Sequence, residues 1–228
     1  MKCVYHPGYQ APLSPDHPFP MSKYPLLKDQ LVAEGLAGNL AGGTHHAFAD
    51  HGEGFCVLND VAIAIMQLRA EGVIERAVVI DLDVHQGNGT AAIFEAMHDV
   101  FTFSMHGERN YPTAKMRSSL DVGLQDGVGD IEYLAILARH LPAVLEAAKA
   151  DIAFYVAGVD VVAGDRYGKL ALTASGLHAR EQLVIQAVRG RGLPLVIVLA
   201  GGYAPTRAAT AELHAHVFRE AVAYGRAE

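Results

Sequence analysis

Asp81-Leu82-Asp83-Val84-His85-Gln86-Gly87-Asn88 is the stretch of this 228-residue chain whose residue types and spacing most clearly promise chemistry. Side chains alternate faces along a strand, so Asp81, Asp83 and His85 project to one side while Leu82 and Val84 pack on the other. Two carboxylates in an otherwise apolar buried strand carry a heavy desolvation penalty unless a cation or strong donors compensate. A divalent metal ion meets that need. One imidazole with hard carboxylate oxygens suits Zn²⁺ or a similar ion, and a third ligand from another strand end leaves a position open for water. Asp165, in Ala163-Gly164-Asp165, is the candidate third ligand. The competing reading of Asp-x-Asp-x-His is a hydrogen-bonded or ion-paired network, which also perturbs charge states.

Four further polar clusters follow short apolar runs: Gly42-Gly43-Thr44-His45-His46, Ser104-Met105-His106, Gly158-Val159-Asp160 with Asp165 beyond it, and Gly201-Gly202-Tyr203. In isolation each has a plain structural reading. His45 and His46 read as solvated loop histidines, Gly201-Gly202 as a strand-to-helix turn, and Cys56 as a buried apolar thiol. Their convergence changes the weighting, because ligands of open parallel sheets bind beyond the carboxyl ends of the strands.

The elements that must position these residues follow from hydrophobic periodicity. From Ala77 onward, short apolar runs alternate with longer amphipathic stretches, as in a parallel sheet buried on both faces and crossed over by helices. Strands are expected at Val4–His6, Asn39–Ala41, Ala77–Val84, Val100–Ser104, Ile152–Ala157 and Leu195–Ala200. Helices are expected near Ser22–Glu34; at Asp60–Ala70, with Asn59 or Asp60 as N-cap and Gly72 as stop; and at Ile131–Ala150, broken or kinked at Pro142. Two more are expected at Gly176–Arg189, capped by Ser175, and at Thr206–Tyr224. The fold class is α/β: a three-layer, open, mostly parallel sheet with helices on both faces, in one domain over 1–228.

Composition narrows the function. Hydrophobic residues make up 51% and charged residues 19%, as in ordinary folded proteins, so disorder and low-complexity classes are excluded. The formal charge of −7, without any Lys/Arg run, supplies no phosphate-binding surface, so no direct nucleic-acid partner is expected. The longest apolar runs, such as Leu195–Ala200, are strand-sized, and the N-terminus lacks a signal pattern, so a cytoplasmic protein with no membrane contact is expected. Cys3 and Cys56 could form one bridge at most and fit no cysteine metal spacing. Twelve histidines are the unusual component.

In order, Gly-Gly-Thr-His-His-Ala (42–47), Gly-Phe-Cys (54–56), Asp-Leu-Asp-Val-His-Gln-Gly-Asn-Gly-Thr (81–90), Ala-Gly-Val-Asp (157–160), Ala-Gly-Asp (163–165) and Gly-Gly-Tyr (201–203) resemble the histone deacetylase superfamily. Gln86 and Asn88, where class I members usually carry His and Asp, and Asn110-Tyr111-Pro112, make the chain look most like the class IV branch and its bacterial relatives. The resemblance implies an arginase/deacetylase-like fold with Asp83, His85 and Asp165 as zinc ligands and Asp81 orienting His45. It implies His46 as general base and then acid, His45 as its electrostatic partner, and Tyr203 as hydroxyl donor to the substrate carbonyl. Gly54, Phe55, Tyr111 and Leu172 would line a narrow channel for an acylated aliphatic chain. A monovalent cation such as K⁺ is implied near Asp81, Asp83, His85, Ser104 and Met105.

The implied activity is a zinc-dependent (alternatively Fe²⁺-dependent) amidohydrolase that removes an acetyl or other acyl group from a lysine side chain of a peptide or protein. Deacetylation of an acetylpolyamine or another small acylated amine is the rival within the same fold. Relatives place a sizeable block before the Gly-Gly-Thr-His-His loop, whereas here only Leu26 to Leu40 intervenes. That shortening motivates a third reading, a metal-binding remnant without turnover, and leaves apolar surface that would promote self-association. A Cys56–His nucleophilic hydrolase is disfavoured, since nothing in the sequence orients a histidine toward Cys56 and the carboxylate strand would go unexplained.

Overall fold

The structure, a computed structural model, describes Ser14, Pro18, Phe19, residues 21–33 and residues 42–227. The strands expected at Val4–His6 and Asn39–Ala41 lie outside the described residues. The elements are α1 (Lys23–Ala33), α2 (Asp60–Ala70), β1 (Ala77–Asp81), α3 (Asn88–Phe94), β2 (Val100–Gly107), β3 (Leu120–Leu124), α4 (Asp130–Ala148), β4 (Ile152–Val156), α5 (Ala174–Arg189), β5 (Leu195–Val198) and α6 (Arg207–Ala227). The five strands form one sheet in the order β3-β2-β1-β4-β5, and every adjacent pair is parallel. All carboxyl ends therefore leave the sheet on the same side.

Burial on both faces explains the apolar strand composition. All five residues of β1 are buried. Val78 and Ile80 pack into the larger core with Leu27 and Leu31 of α1, Tyr133, Leu137 and Leu141 of α4, Leu177 and Val184 of α5, and Phe218 of α6. Ala77 and Val79 point the other way, against Val61 and Ile65 of α2 and Phe94 of α3. The three expected layers are thus present, with α1, α4, α5 and α6 on one face and α2 and α3 on the other.

Local chemistry sets the element ends. Asn59 caps α2, its side chain accepting from Ala62 N at 3.0 Å, and Asp60 and Arg69 sit at the helix ends that favour their charges. The cap of α5 is Thr173 rather than Ser175: its hydroxyl accepts from Gly176 N at 3.0 Å and donates to Asp130 Oδ2 at 2.6 Å. Pro142 does not break α4, which continues for 19 residues. It lacks only the N–H that would have bonded the Ala138 carbonyl, and buried Leu141, Val144 and Leu145 hold the helix to the core around it.

β1 ends at Asp81, three residues earlier than expected, because carboxylates capture their own following backbone. Asp81 Oδ1 accepts from Asp83 N at 3.1 Å, and Asp83 Oδ1 accepts from His85 N at 2.8 Å. β3 and α3 are elements the periodicity does not announce. β3 is a half-exposed edge strand containing Asp121 and Gly123, and α3 opens on Asn88-Gly89, which reads as a turn. Phe55, Val57, Leu58, Ile63 and Met66 remain exposed along the outer side of α2 and the loop before it.

Thr173→Ala is expected to lower stability by about 1 kcal/mol, whereas Ser175→Ala should stay within ~0.5 kcal/mol of the parent. Urea unfolding of both variants checks the assignment of the cap, and a larger loss for Ser175→Ala would reverse it.

Candidate active site

The two aspartate bends carry Asp83 and His85 off the end of β1, while Leu82 and Val84 stay in the core, so the alternation expected of the strand persists beyond it. β1 and β4 end level, with Asp81 in register with Val156, while β2 runs three residues beyond Ser104, the partner of Asp81. Arg180 of α5, fully buried, donates to the carbonyls of Leu82 at 3.0 Å and Gly158 at 2.8 Å and so fixes the two loops from behind.

Among the described residues one group has the geometry to hold a metal: ligand atoms of Asp83, His85 and Asp160 lie within 4.8 Å of one another. His85 Nδ1 sits 3.0 Å from Asp83 Oδ1 and 3.1 Å from Asp160 Oδ2. Asp83 Oδ2 accepts from Gly201 N at 2.6 Å and Asp160 Oδ1 from Val84 N at 2.9 Å. Asp160 Oδ2 is buried and has no hydrogen-bond donor. Gly158 and Gly201 crowd this cradle so closely that a Cβ on either would collide with a carboxylate of Asp83 or Asp160.

The electrostatics call for positive charge here. Burial opposes protonation of His85, but Asp160 and Asp83 override it and raise its pKa to about 10. Asp160 is pushed up to about 7 by burial and by the Asp83 charge, whereas Asp83, despite burial, is held low by His45 and His85. A divalent cation would satisfy the same field while displacing the ring proton, so these residues fit a metal.

Asp165, the expected third ligand, is not in this group. Its Oδ1 accepts from Tyr167 N at 2.9 Å and Gly168 N at 3.0 Å, and its Oδ2 accepts from Tyr203 N at 2.6 Å. Both oxygens accept from backbone N–H groups, as both oxygens of Asp83 do, so Asp165 anchors the Tyr203 loop, while Asp160 is the second carboxylate that the structure brings beside Asp83 and His85.

His45 and His46 stand side by side, with ring centroids 4.2 Å apart, yet their partners differ in charge. His45 Nδ1 meets Asp81 Oδ2 at 2.7 Å, the pairing expected of Asp81. Burial disfavours charge on His45, but Asp81 and Asp83 raise it to about 9. His46 Nδ1 meets the neutral Asn88 Oδ1 at 2.7 Å, and burial followed by the His45 charge holds it well below the usual value. The pair therefore places an imidazolium beside a neutral imidazole.

A cavity of about 520 Å³ opens over these groups, lined by His45, His46, Asp83, His85, Gly54, Phe55, Tyr111, Tyr167 and Tyr203. Of the four residues expected along a channel, Gly54, Phe55 and Tyr111 line this cavity. Leu172 does not: it is fully buried, paired with Val162, and Tyr167 supplies the wall instead. Sequence reasoning also missed Glu53, whose carboxylate accepts from Asn88 Nδ2 at 3.0 Å and from the Tyr111 hydroxyl. Lys23 was likewise unforeseen: fully buried, it donates to Ala200 O at 2.6 Å, and burial lowers it to about 8 against the pull of Asp160, Asp83 and Asp165. Cys56 is a free thiol in the cavity wall, driven up to about 12 by burial, which ends its candidacy as a nucleophile. Ser104 and Met105 are buried at the end of β2, with Ser104 Oγ 2.9 Å from His106 Nδ1.

Fold and site together define an α/β protein with a carboxylate–imidazole cradle and a histidine pair at the carboxyl ends of a parallel sheet. The histone deacetylase domain model matches residues 24–220, and the chain belongs to that family. It is 53% identical over 180 residues to an uncharacterised protein of Picosynechococcus sp., covering 78% of this chain and 60% of that one. It is 33% identical over 186 residues to histone deacetylase 2 of Arabidopsis thaliana, covering 78% of this chain and 47% of the relative. Acetylpolyamine aminohydrolase from Burkholderia pseudomallei superposes with a TM-score of 0.68 at 28% identity, over 89% of this chain and 62% of that structure. The chain thus spans roughly half to three-fifths of the length of these relatives. No helix of the described residues is long and apolar enough to cross a membrane.

Asp160→Asn is expected to weaken zinc binding about 100-fold or more, measured by competition against a chelator; metal analysis of Asp165→Asn decides the third ligand, since loss of zinc there assigns that role to Asp165 and retention assigns it to Asp160. A second expectation concerns pH. Burial lowers His106 to about 4, so between pH 6.5 and 4 the unfolded chain binds a proton that the folded chain refuses, and stability falls as pH falls through that window. His106→Asn should remove about 2 kcal/mol of this decline, measured as the difference in urea unfolding between pH 7 and pH 4.5.

Proposed function

We propose that this chain is a metal-dependent amidohydrolase that removes an acetyl or other acyl group from the side-chain amine of lysine or a lysine-like amine. The observation that carries the reading is the Asp83–His85–Asp160 cradle beside a neutral His46 in a cavity walled by Phe55, Tyr111 and Tyr167. An aromatic-lined cavity suits the aliphatic chain of an acylated amine. Zinc, or iron in its place, held by Asp83, His85 and Asp160 would supply Lewis acidity to the amide carbonyl and to water.

The remaining roles fall to the chain's own groups. His46 keeps a lone pair at Nε2 once Nδ1 is engaged by Asn88, so it can take a proton from water and return it to the leaving amine. His45, held charged by Asp81, places a fixed positive centre beside the site where negative charge develops. Among the described residues no group engages the Tyr203 hydroxyl, which burial keeps protonated, so it is free to donate to the substrate carbonyl. A monovalent cation near Asp81, Asp83, His85, Ser104 and Met105, and a cytoplasmic location, belong to the same proposal.

Two rival readings have specific support. Similarity to an acetylpolyamine aminohydrolase favours a small acylated amine as substrate. The short stretch from Leu26 to Leu40 before the Gly-Gly-Thr-His-His loop favours a metal-binding protein without turnover. Hydrolysis of an acetyl-lysine peptide and of an acetylated polyamine by zinc-loaded protein separates all three, and a folded, loaded sample inert toward both would overturn the enzyme reading. In the active case, His46→Ala is expected to lower kcat by ~10²–10⁴-fold and Tyr203→Phe by ~10²–10³-fold, with zinc content unchanged.

A further inference from the structure

Glu53 lies between Gly52 and Gly54 at the base of a two-residue hairpin turn. Its backbone exchanges hydrogen bonds with Cys56, from Glu53 N to Cys56 O at 3.0 Å and from Cys56 N to Glu53 O at 2.7 Å. Gly54 and Phe55 both have positive φ, +54° and +66°, as such a turn requires. The turn is pressed against the catalytic histidine: a Cβ on Gly54 would collide with the His46 ring. The Glu53 side chain reaches from this platform to Asn88, and the same Oε1 that accepts from Asn88 Nδ2 also accepts from the Tyr111 hydroxyl. Glu53 Oε2 has His51 Nε2 3.7 Å away. The Tyr111 bond, outweighing burial and joined by Asn88, holds the Glu53 carboxyl below its usual range, so it faces Asn88 as a pure acceptor.

A primary amide can present either its oxygen or its NH₂ to a partner, and an imidazole either an N–H or a lone pair. Asn88 alone could therefore stabilise either tautomer of His46. An ionised carboxylate removes the ambiguity. If Asn88 turned its oxygen toward Glu53, two acceptors would oppose each other, so NH₂ must face Glu53 and Oδ1 must face His46. An acceptor at that position requires His46 Nδ1 to carry the proton, which leaves Nε2 bare. We propose that Glu53 is a positioning residue that sets the tautomer of His46 through the Asn88 amide. A fixed charge two hydrogen bonds removed from the base thereby does what a carboxylate directly on the imidazole would do, without drawing His46 into an ion pair. The inference rests on the reading of His46 as the base, but the state it predicts can be observed without any turnover.

The test uses zinc-loaded protein and reads the His46 ring by ¹⁵N-resolved NMR. In the parent chain His46 should be a single species protonated at Nδ1. In Glu53→Gln, whose amide can accept or donate, His46 should become a mixture of the two tautomers. With an acetyl-lysine peptide, Glu53→Gln is expected to lower kcat about 10-fold with KM within about two-fold. In an Asn88→Asp background, where the acceptor no longer depends on an amide orientation, the same substitution should change kcat less than two-fold. An unaltered Nδ1–H signal in Glu53→Gln, or an equal loss of kcat in both backgrounds, would overturn the proposal. Should Glu53→Gln not fold, Glu53→Asp withdraws the carboxylate from Asn88 while keeping its charge, and must give the same mixed tautomers. If the parent chain hydrolyses no acyl substrate, the NMR result decides alone, so failure of the enzyme reading and failure of the tautomer proposal remain separate outcomes.

Discussion

Three carboxylates, Asp81, Asp83 and Asp160, are almost wholly removed from water at the carboxyl ends of β1 and β4, and the site is organised around compensating their burial. An ionised carboxylate leaves water only if partners replace its hydration. Asp81 has the His45 ring and the Asp83 N–H; Asp83 has the Gly201 N–H, the His85 N–H and the His85 ring. Asp160 has the Val84 N–H on one oxygen and, on the other, only the ion-pair contact of the His85 ring at 3.1 Å. The parallel sheet supplies this arrangement by ending adjacent strands at one level, so loops from β1, β4 and β5 meet within a few ångströms. The glycines at 158 and 201 are the steric counterpart, since any side chain there would occupy carboxylate space.

The same few residues also separate two histidines by charge. His45 and His46 are adjacent in sequence, both buried, and their rings nearly touch. What distinguishes them is the group on Nδ1, an aspartate for one and an asparagine for the other. The charged ring lowers the proton affinity of its neutral neighbour, so each enforces the other's state. Pairs of titratable groups driven apart by their surroundings are a recurrent way of assigning acid and base roles at one pH.

Much of this was legible in the sequence because periodicity and residue chemistry agree there. The alternation of Asp81, Asp83 and His85 against Leu82 and Val84 holds even after the strand has ended, and the layers of helices follow from strands apolar on both faces. The differences between expectation and structure have definite causes. Asp160 and Asp165 lie five residues apart after the same strand, and spacing does not say which one turns inward. That depends on a tight turn in which Asp165 receives the N–H groups of Tyr167, Gly168 and Tyr203. Leu172 has the composition of a channel residue but pairs with Val162 in the core. β3 is polar enough to pass for a loop, and Glu53 passes for an ordinary surface acid. Its significance lies in Asn88 and Tyr111, 35 and 58 positions away along the chain.

Arg180 links these observations to the opposite side of the sheet. Its guanidinium bonds the carbonyl of Leu82, just before Asp83, and that of Gly158, two residues before Asp160, while Glu181 and the Tyr155 hydroxyl complete the network inside the core. The separation of the two cradle carboxylates is therefore gauged by a helix that has no part in the cavity. α5 and the cradle form one mechanical unit, and a substitution on the buried face of α5 would be felt at the cradle as a change in bite distance rather than in chemistry. The spacing that the cradle would offer an ion is, in that sense, partly a property of how α5 is packed.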